Sequence, residues 1–310
     1  IFIDQAYPRA YWNKAFSLLL QGDYTEGWKL YEWRLRMEDA AKKFPSFDKP
    51  SWRGTEDISD KRLLIALEQG LGDFIQFCRY VPLLLGRASE VILEVPKILA
   101  PLIETLHPDI TLAIKGETLP EFDVYCPLMS LPFVFGTTLE SIPSNGRYLQ
   151  SDPKKVALWR ERLGASARPR VGLVWSGAAG HDNDHNRSIA LSDLVPVLGA
   201  DYEWHSLQKE YRDADFEVLQ QAQHIHQHQD DLHDFSDTAA LMENLDFVIT
   251  VDTSVAHLAG ALGKEVWVLL PKVPDFRWLL DREDSPWYAS AKLIRQDDQG
   301  EWGSVLAALG

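Results

Sequence analysis

The chain has 310 residues, a formal net charge of −15, and 45% hydrophobic and 25% charged side chains; that is the composition of a globular protein with room for two α/β domains and a small appendage. So acidic a surface argues against nucleic acid as a partner, yet it allows one small phosphorylated ligand held by a few arginines and a helix N-terminus. No apolar run reaches the roughly 20 residues that span a bilayer. The two cysteines, Cys78 and Cys126, make neither a disulfide framework nor a zinc site, which points to a reducing cytoplasm. The first residue is Ile1 rather than Met, so the start is read as processed or truncated, with an upstream targeting signal left open.

Trp12, Ala15, Phe16, Leu19 and Leu20 share one face of a helix. Gln21-Gly22-Asp23 breaks it, and Tyr24, Trp28, Tyr31 and Leu35 mark a second helix. The pair forms a helical hairpin over residues 1–45 whose Gly-Asp-Tyr turn resembles a tetratricopeptide repeat. A packed linker with Phe47 and Trp52 follows. From Arg62 the pattern becomes strand, glycine turn and helix: Leu63–Leu67 is a buried strand, Gln69-Gly70-Leu71-Gly72-Asp73 the turn, and a helix runs to about Leu85. Val91–Val95 is the next strand, Ile98–Leu106 a helix, and Thr111–Ile114 and Phe122–Cys126 two more strands. Such alternation predicts βαβ units and a parallel sheet. Residues 136–153, rich in Gly, Ser, Pro and Asn, mark a boundary. The pattern then restarts with a helix near 154–163, the strand Val171–Trp175, the loop Ser176–Gly180, and strands near 203–207, 223–226, 246–251 and 265–270. The expected organisation is a hairpin at 1–45, a first Rossmann-like lobe at 46–150 and a second at 151–310, with a ligand in the cleft beyond the strand ends.

The segment Asp246–Gly263 carries the sharpest chemistry. A buried strand runs into Asp252 and a helix begins at once, capped by Asp252, Thr253 or Ser254. Its free N–H groups and the two hydroxyls form an anion site suited to a diphosphate, with His257 one turn in. The same pattern also serves a helix that is merely well capped. Asp73 follows a strand and starts a helix; it is placed either to take a proton from an acceptor hydroxyl or to cap that helix. Glu68 is the reserve base. In the loop His181–Ser188, Arg187 offers a planar fork for a phosphate. Ser176 and Gly177 sit where a strand meets a loop and offer N–H groups to the same phosphate.

These segments resemble the heptosyltransferase-like glycosyltransferases of family 9. The stretch Asp252–Gly263 is similar to that family's donor-binding motif, and Gly70-Leu71-Gly72-Asp73 to its N-terminal Gly-Asp loop. Four stretches resemble bacterial proteins that fuse tetratricopeptide repeats to such a domain: Gly22-Asp23-Tyr24 to Trp33, Glu68–Asp73, Trp175–Ile189 and Pro271–Tyr288. The resemblance implies a GT-B fold of two Rossmann-like lobes and metal-independent transfer of a sugar, hexosyl or heptosyl, from a nucleotide-sugar to an acceptor. It implies Asp73 as the base, with Glu68, Gln69, Gly70 and Gly72 in the acceptor-side loop. Ser176, Gly177, Arg187, Asp252, Thr253, Ser254 and His257 would hold the donor diphosphate; Gln208, Lys209, Asp275 and Arg277 would meet its sugar or base. No cofactor or metal is expected, and the hairpin suggests a protein acceptor, with a glycan acceptor kept open.

Alternatives remain on the sequence. Asp182-Asn183-Asp184 spells a metal-binding D-x-D, read here as a loop-ordering pair. His224, His226, His228 and His233, with Asp230 and Asp231 near, invite a metal but read as an exposed strand edge. A nicotinamide dehydrogenase would need the third glycine that Gly70-Leu71-Gly72-Asp73 lacks. A non-catalytic nucleotide-sugar-binding or partner-recruiting module is the other rival.

Overall fold

The computed structural model describes residues 7–37, 40, 44, 46–143 and 146–309. Ile1, Pro45, most of the end of the expected hairpin at 38–43, and positions 144 and 145 of the expected boundary lie outside the described residues. The chain divides into two compact units, the first made of residues 1–144 with Asp275–Leu280, the second of residues 145–274 and 281–310.

In the first unit α1 (Pro8–Leu20) and α2 (Tyr24–Tyr31) form the antiparallel hairpin that the apolar spacing predicts. Gly22 turns the chain at φ +84°, a conformation that favours glycine. Asp23 then caps α2, accepting the Glu26 N–H at 3.1 Å. The helices close tightly at Gly27, where a Cβ would come within 2.6 Å of Leu19. Their shared face, Ala15, Leu19, Tyr24, Trp28 and Tyr31, is buried. A 3₁₀ turn, Glu32–Arg36, continues from α2.

Behind the hairpin is a parallel sheet of β1 (Ile58–Ala66), β2 (Ala88–Val95), β3 (Ile110–Ile114) and β4 (Val124–Pro127), in the order β3-β2-β1-β4. Leu63–Ala66 of the central β1 are fully buried, as expected for a strand covered on both faces. After the glycine turn, α3 (Leu71–Phe77) is shorter than the sequence suggests, because Pro82 lies ahead and the chain continues to Leu84 as a 3₁₀ helix. The helix expected at Ile98–Leu106 is likewise a single turn, Ala100–Ile103.

The second unit holds a six-stranded parallel sheet of β5 (Arg170–Val174), β6 (Glu203–Ser206), β7 (Ile225–Gln227), β8 (Phe247–Val251), β9 (Val266–Leu270) and β10 (Ala291–Arg295). The order is β10-β9-β8-β5-β6-β7. Its helices include α4 (Pro153–Leu163), α5 (Asp213–Gln221), α6 (Phe235–Glu243) and α7 (Ser254–Ala261). β10 escaped the sequence reading because Lys292 and Arg295 break its short apolar run. β5 and β8 are neighbours, with Val174 in register with Thr250. Parallel pairing therefore brings the loops that follow these two strands to one edge of the sheet.

Candidate functional site

At that edge the residues singled out in the second unit come together. Val251 ends β8, and Thr253 is the residue that caps α7, its hydroxyl accepting the Val255 N–H at 3.3 Å and lying 3.2 Å from the Thr250 hydroxyl. Ser254 is the first residue of α7, where N–H groups lack partners within the helix. Arg187 reaches across from the β5 side and donates through Nη1 to the Asp252 carbonyl at 2.9 Å. Its guanidinium lies flat on Gly177; a Cβ there would approach Nη2 to 2.5 Å, so this close approach requires glycine. The Arg187 Nε and the Ser176 hydroxyl are buried without a hydrogen-bond partner among the described residues. Two polar groups held this way at a helix start suit an incoming anion.

The loop that delivers Arg187 is ordered from inside. Ser188 Oγ accepts the Gly177 N–H at 3.1 Å and donates to Asp184 at 2.8 Å, and Arg212 donates to both Asp184 and Ser188. Asp184 is thereby buried in an ion pair, while Asp182 is exposed. Gln208 staples β5 to β6: its amide accepts the Ser176 N–H at 3.3 Å and donates to the Ser176 carbonyl at 3.0 Å. Lys209 donates to the Gln229 carbonyl at 2.7 Å. His257 Nδ1 lies 2.9 Å from the Tyr288 hydroxyl in a buried contact. Arg212 and Tyr288 arrive from distant segments, and no local spacing marks either as part of this cluster.

The first unit builds a different kind of site. Gly70, not Asp73, is the N-cap of α3; Asp73 stands three residues later and reaches back to accept the Gly70 N–H at 2.9 Å through Oδ2, the one half of a capping box that a glycine cap permits. The helix-capping alternative therefore takes a different form, with Asp73 reaching back from the third helical residue. Oδ1 accepts from Arg277 Nη2. Arg277 belongs to this unit through the segment Asp275–Leu280, and its Nη1 donates to Asp275 Oδ1 at 2.6 Å. Burial disfavours the guanidinium charge, but Asp275 and Asp73 outweigh it and raise the Arg277 pKa above its usual value. Phe276 locks the segment in place, with ring centroids 5.8 Å from Phe16, 5.8 Å from Trp28 and 6.2 Å from Tyr31.

Gln69 adopts φ +62°, a left-handed conformation uncommon for a residue with a side chain, and its amide donates to the Tyr31 hydroxyl at 2.5 Å. Glu68 is fully committed: its two oxygens accept from Arg34 Nε at 2.6 Å and Nη2 at 2.8 Å. Arg34 is itself fully buried and also bonds Glu32 and Ser130. The hairpin thus holds the glycine turn through Tyr31 and Arg34, a role that the spacing of its apolar residues does not reveal.

The histidine-rich segment is the exposed edge expected of it at His224, His226 and His233, and departs from it at His228. β7 covers only Ile225–Gln227, and His228 turns inward, its Nε2 3.0 Å from His205 Nδ1. His205 Nε2 lies 3.0 Å from Glu203, and the His205 ring stacks on both His226 and His228. Burial, seconded by neighbouring positive charge and imidazoles, pushes both His205 and His228 down to about 4. Among the described residues no group of three or more His, Cys, Asp or Glu side chains is placed to hold a metal ion. Cys78 and Cys126 are free and buried. No described helix is long and apolar enough to cross a membrane.

No family model matches the chain. It is similar to Protein FlbA of Caulobacter vibrioides, with 30% identity over 332 residues that cover 96% of this chain and 54% of the relative, so the chain spans about half the length of that protein. Among solved structures it is similar to a glycosyl transferase of family 9 from Veillonella parvula, with a TM-score of 0.56 and 11% identity over 81% of this chain and 90% of that one. It is similar as well to the E. coli ADP-heptose lipopolysaccharide heptosyltransferase II, with a TM-score of 0.55 and 15% identity over 80% of this chain and 98% of that one. A dodecameric iron-containing heptosyltransferase, TibC, in complex with ADP-D-β-D-heptose, gives a TM-score of 0.54 and 13% identity over 82% of this chain and 68% of that one. At these identities the likeness is one of fold: the chain has the mixed α/β architecture with parallel sheets of the GT-B heptosyltransferases.

Proposed function

We propose that the chain is a glycosyltransferase that moves a sugar from a nucleotide-sugar to an acceptor hydroxyl. The observation that carries this is the Arg187 guanidinium, laid on Gly177 and bonded to the Asp252 carbonyl at the start of α7, with the buried Ser176 hydroxyl left unpartnered. A helix start and a guanidinium together neutralise a leaving diphosphate. The fold, shared with a protein solved in complex with ADP-D-β-D-heptose, supports a donor of that class. Asp73 takes the proton as the acceptor oxygen bonds the anomeric carbon and the nucleoside diphosphate departs. Thr253, Ser254 and His257 shape the diphosphate end of the donor site. Gln208 and Lys209 stand on its sugar or base side; Gln208 acts there through the backbone of Ser176, which it holds.

The same reading takes transfer to be metal-independent, places the protein in a bacterial cytoplasm, and takes the α1–α2 hairpin to be tetratricopeptide-like and the acceptor to be a protein, with hexosyl and heptosyl donors both open. Calorimetry with ADP, UDP and GDP tests the core of it. One of the three binds, and Arg187→Ala weakens it about tenfold to a hundredfold, as loss of a charge-assisted bond of roughly 1.5–3 kcal/mol requires. No binding by any of them, or equal binding by the variant, removes the assignment. Turnover that is lost in EDTA and restored by magnesium or manganese removes the metal-independent mechanism.

A second reading, nucleotide-sugar binding without turnover, is favoured by one observation: both oxygens of Asp73 already accept hydrogen bonds. Each carboxylate oxygen keeps a further lone pair. Release of nucleoside diphosphate from ADP-heptose, UDP-glucose, UDP-N-acetylglucosamine or GDP-mannose by the protein in EDTA decides between the two readings.

A further inference from the structure

We infer that Arg277 is a positioning residue for Asp73, delivered to the glycine turn by a six-residue return of the chain, Asp275–Leu280, that is anchored in the aromatic face of the helical hairpin. The inference deepens the proposed function and rests on Asp73 being its general base.

Three observations carry it. The Asp73 carboxylate is gripped at both ends, Oδ2 by the Gly70 N–H and Oδ1 by Arg277 Nη2, so that neither its rotation nor its tilt is free. Arg277 is fixed in turn by Asp275, whose Oδ1 accepts from Arg277 Nη1 at 2.6 Å and from the Arg277 backbone N–H at 3.0 Å, and by the Phe276 ring, its centroid 4.4 Å from the guanidinium carbon. The segment cannot easily swing away: Phe276 and Trp278 on either side of Arg277 are buried, Phe276 among Phe16, Trp28 and Tyr31. A surface ion pair would be loose and would contribute little. This one is 93% buried at Arg277, the kind of partner that holds a reacting group in one geometry. The arrangement also explains an otherwise idle piece of sequence. Pro274-Asp275-Phe276-Arg277-Trp278 follows the strand β9 of the second unit, yet its Asp, Phe and Arg are all employed in the first.

The role differs from direct contact with the donor, which chemistry alone would assign to the Arg277 Nε, buried without a hydrogen-bond acceptor among the described residues. The two roles separate kinetically. Nucleoside diphosphate release from the four nucleotide-sugars above is measured for the protein, for Asp73→Asn, for Arg277→Gln, for Arg277→Lys and for the Asp73→Asn, Arg277→Gln double variant, with melting temperatures as the check on folding. Misplacing a catalytic group by an ångström costs about a hundredfold. The expected result is a kcat lowered about a hundredfold in Arg277→Gln with the donor KM unchanged, partial recovery in Arg277→Lys, and a double variant no slower than Asp73→Asn alone, since Arg277 acts only through Asp73. A slowed Asp73→Asn beside a wild-type kcat in Arg277→Gln overturns the inference while leaving the base in place. A raised KM with unchanged kcat, or a double variant whose losses multiply, makes Arg277 a donor contact and overturns it too. Full activity in Asp73→Asn, or no release by the unaltered protein from any of the four, removes the base or the transferase reading, and the positioning role with it.

Discussion

The two units repeat one grammar, a buried parallel strand followed by a glycine loop and a helix, and use it in opposite ways. In the first unit the loop after β1 has its carboxylates engaged from within: Glu68 by Arg34, Asp73 by Arg277. In the second, the loop after β5 presents a guanidinium and a hydroxyl that keep unused donors beside a helix start. The contrast shows how one supersecondary unit can be tuned either to fix an anion of its own or to receive one from outside. The difference lies in how closely the counter-charge is held: Arg277 bonds Asp73 directly, whereas Asp184 stands 3.9 Å from the Arg187 Nε and leaves that donor without a hydrogen bond among the described residues.

The largest effect that would break the comparison is on turnover. Asp73→Asn is expected to lower nucleoside diphosphate release by about 10²–10⁴-fold, the usual cost of losing a general base, while calorimetric affinity for the nucleoside diphosphate stays unchanged. The single amide oxygen of asparagine can still accept the Gly70 N–H, and Arg277 keeps Asp275 as its partner though it loses its bond to position 73, so most of the melting temperature should survive. A melting temperature that collapses in this variant would make Asp73 chiefly structural.

Next is stability of the first unit. Arg34→Met leaves Glu68 buried and unpaired, while Glu32 keeps Arg53 and Ser130, a loss of about 3–5 kcal/mol in urea unfolding. A change below about 1 kcal/mol would show that the hairpin does not buttress the glycine turn as described.

The third concerns acid. His205 and His228 stand at about 4 when folded against about 6.5 when unfolded, so between those values the unfolded chain binds protons that the folded chain refuses. Stability is therefore full above pH 6.5 and falls as the pH drops toward 4. The groups facing the pair are His226, Glu203, Arg170, Arg162 and Asp231. His205→Gln should flatten the decline in urea unfolding between pH 7 and pH 4.5; an equally steep decline in the variant would place the acid sensitivity elsewhere.

Two smaller effects sharpen the picture of the second unit. Gly177→Ala pushes a methyl into the Arg187 guanidinium and should weaken nucleoside diphosphate binding about tenfold, near the lower end of what one charge-assisted bond contributes, with little change in melting. Thr253→Ala removes the cap of α7 and should lower stability by about 1 kcal/mol, read from the urea midpoint.

Much of the fold was legible in the sequence because helices and strands announce themselves by local spacing. The Gly22-Asp23 break, the buried run Leu63–Ala66, the boundary-rich segment near 136–153 and the strand leading into Asp252 each lie within a few residues of the signal that marks them. β10 and the shortened helices were missed where charge or proline interrupts a short run. Of the site, Ser176, Gly177 and Thr253 could be named because each sits at the end of a strand or the start of a helix, and parallel neighbours put such ends together; Arg187 could be named as the planar fork in the polar loop that follows β5.

Local sequence is enough for the alternating elements, the two glycine loops and the residue types at their ends, because backbone conformation and burial depend on neighbours along the chain. Which partner each of those residues meets depends on the folded chain. Arg277 comes to Asp73 from 204 positions away, Arg34 to Glu68 from 34, and Arg187 to the Asp252 carbonyl from 65. Such pairings leave no trace in local periodicity. They follow from where the chain returns, and burial forces each returning charge to find a partner once water is gone.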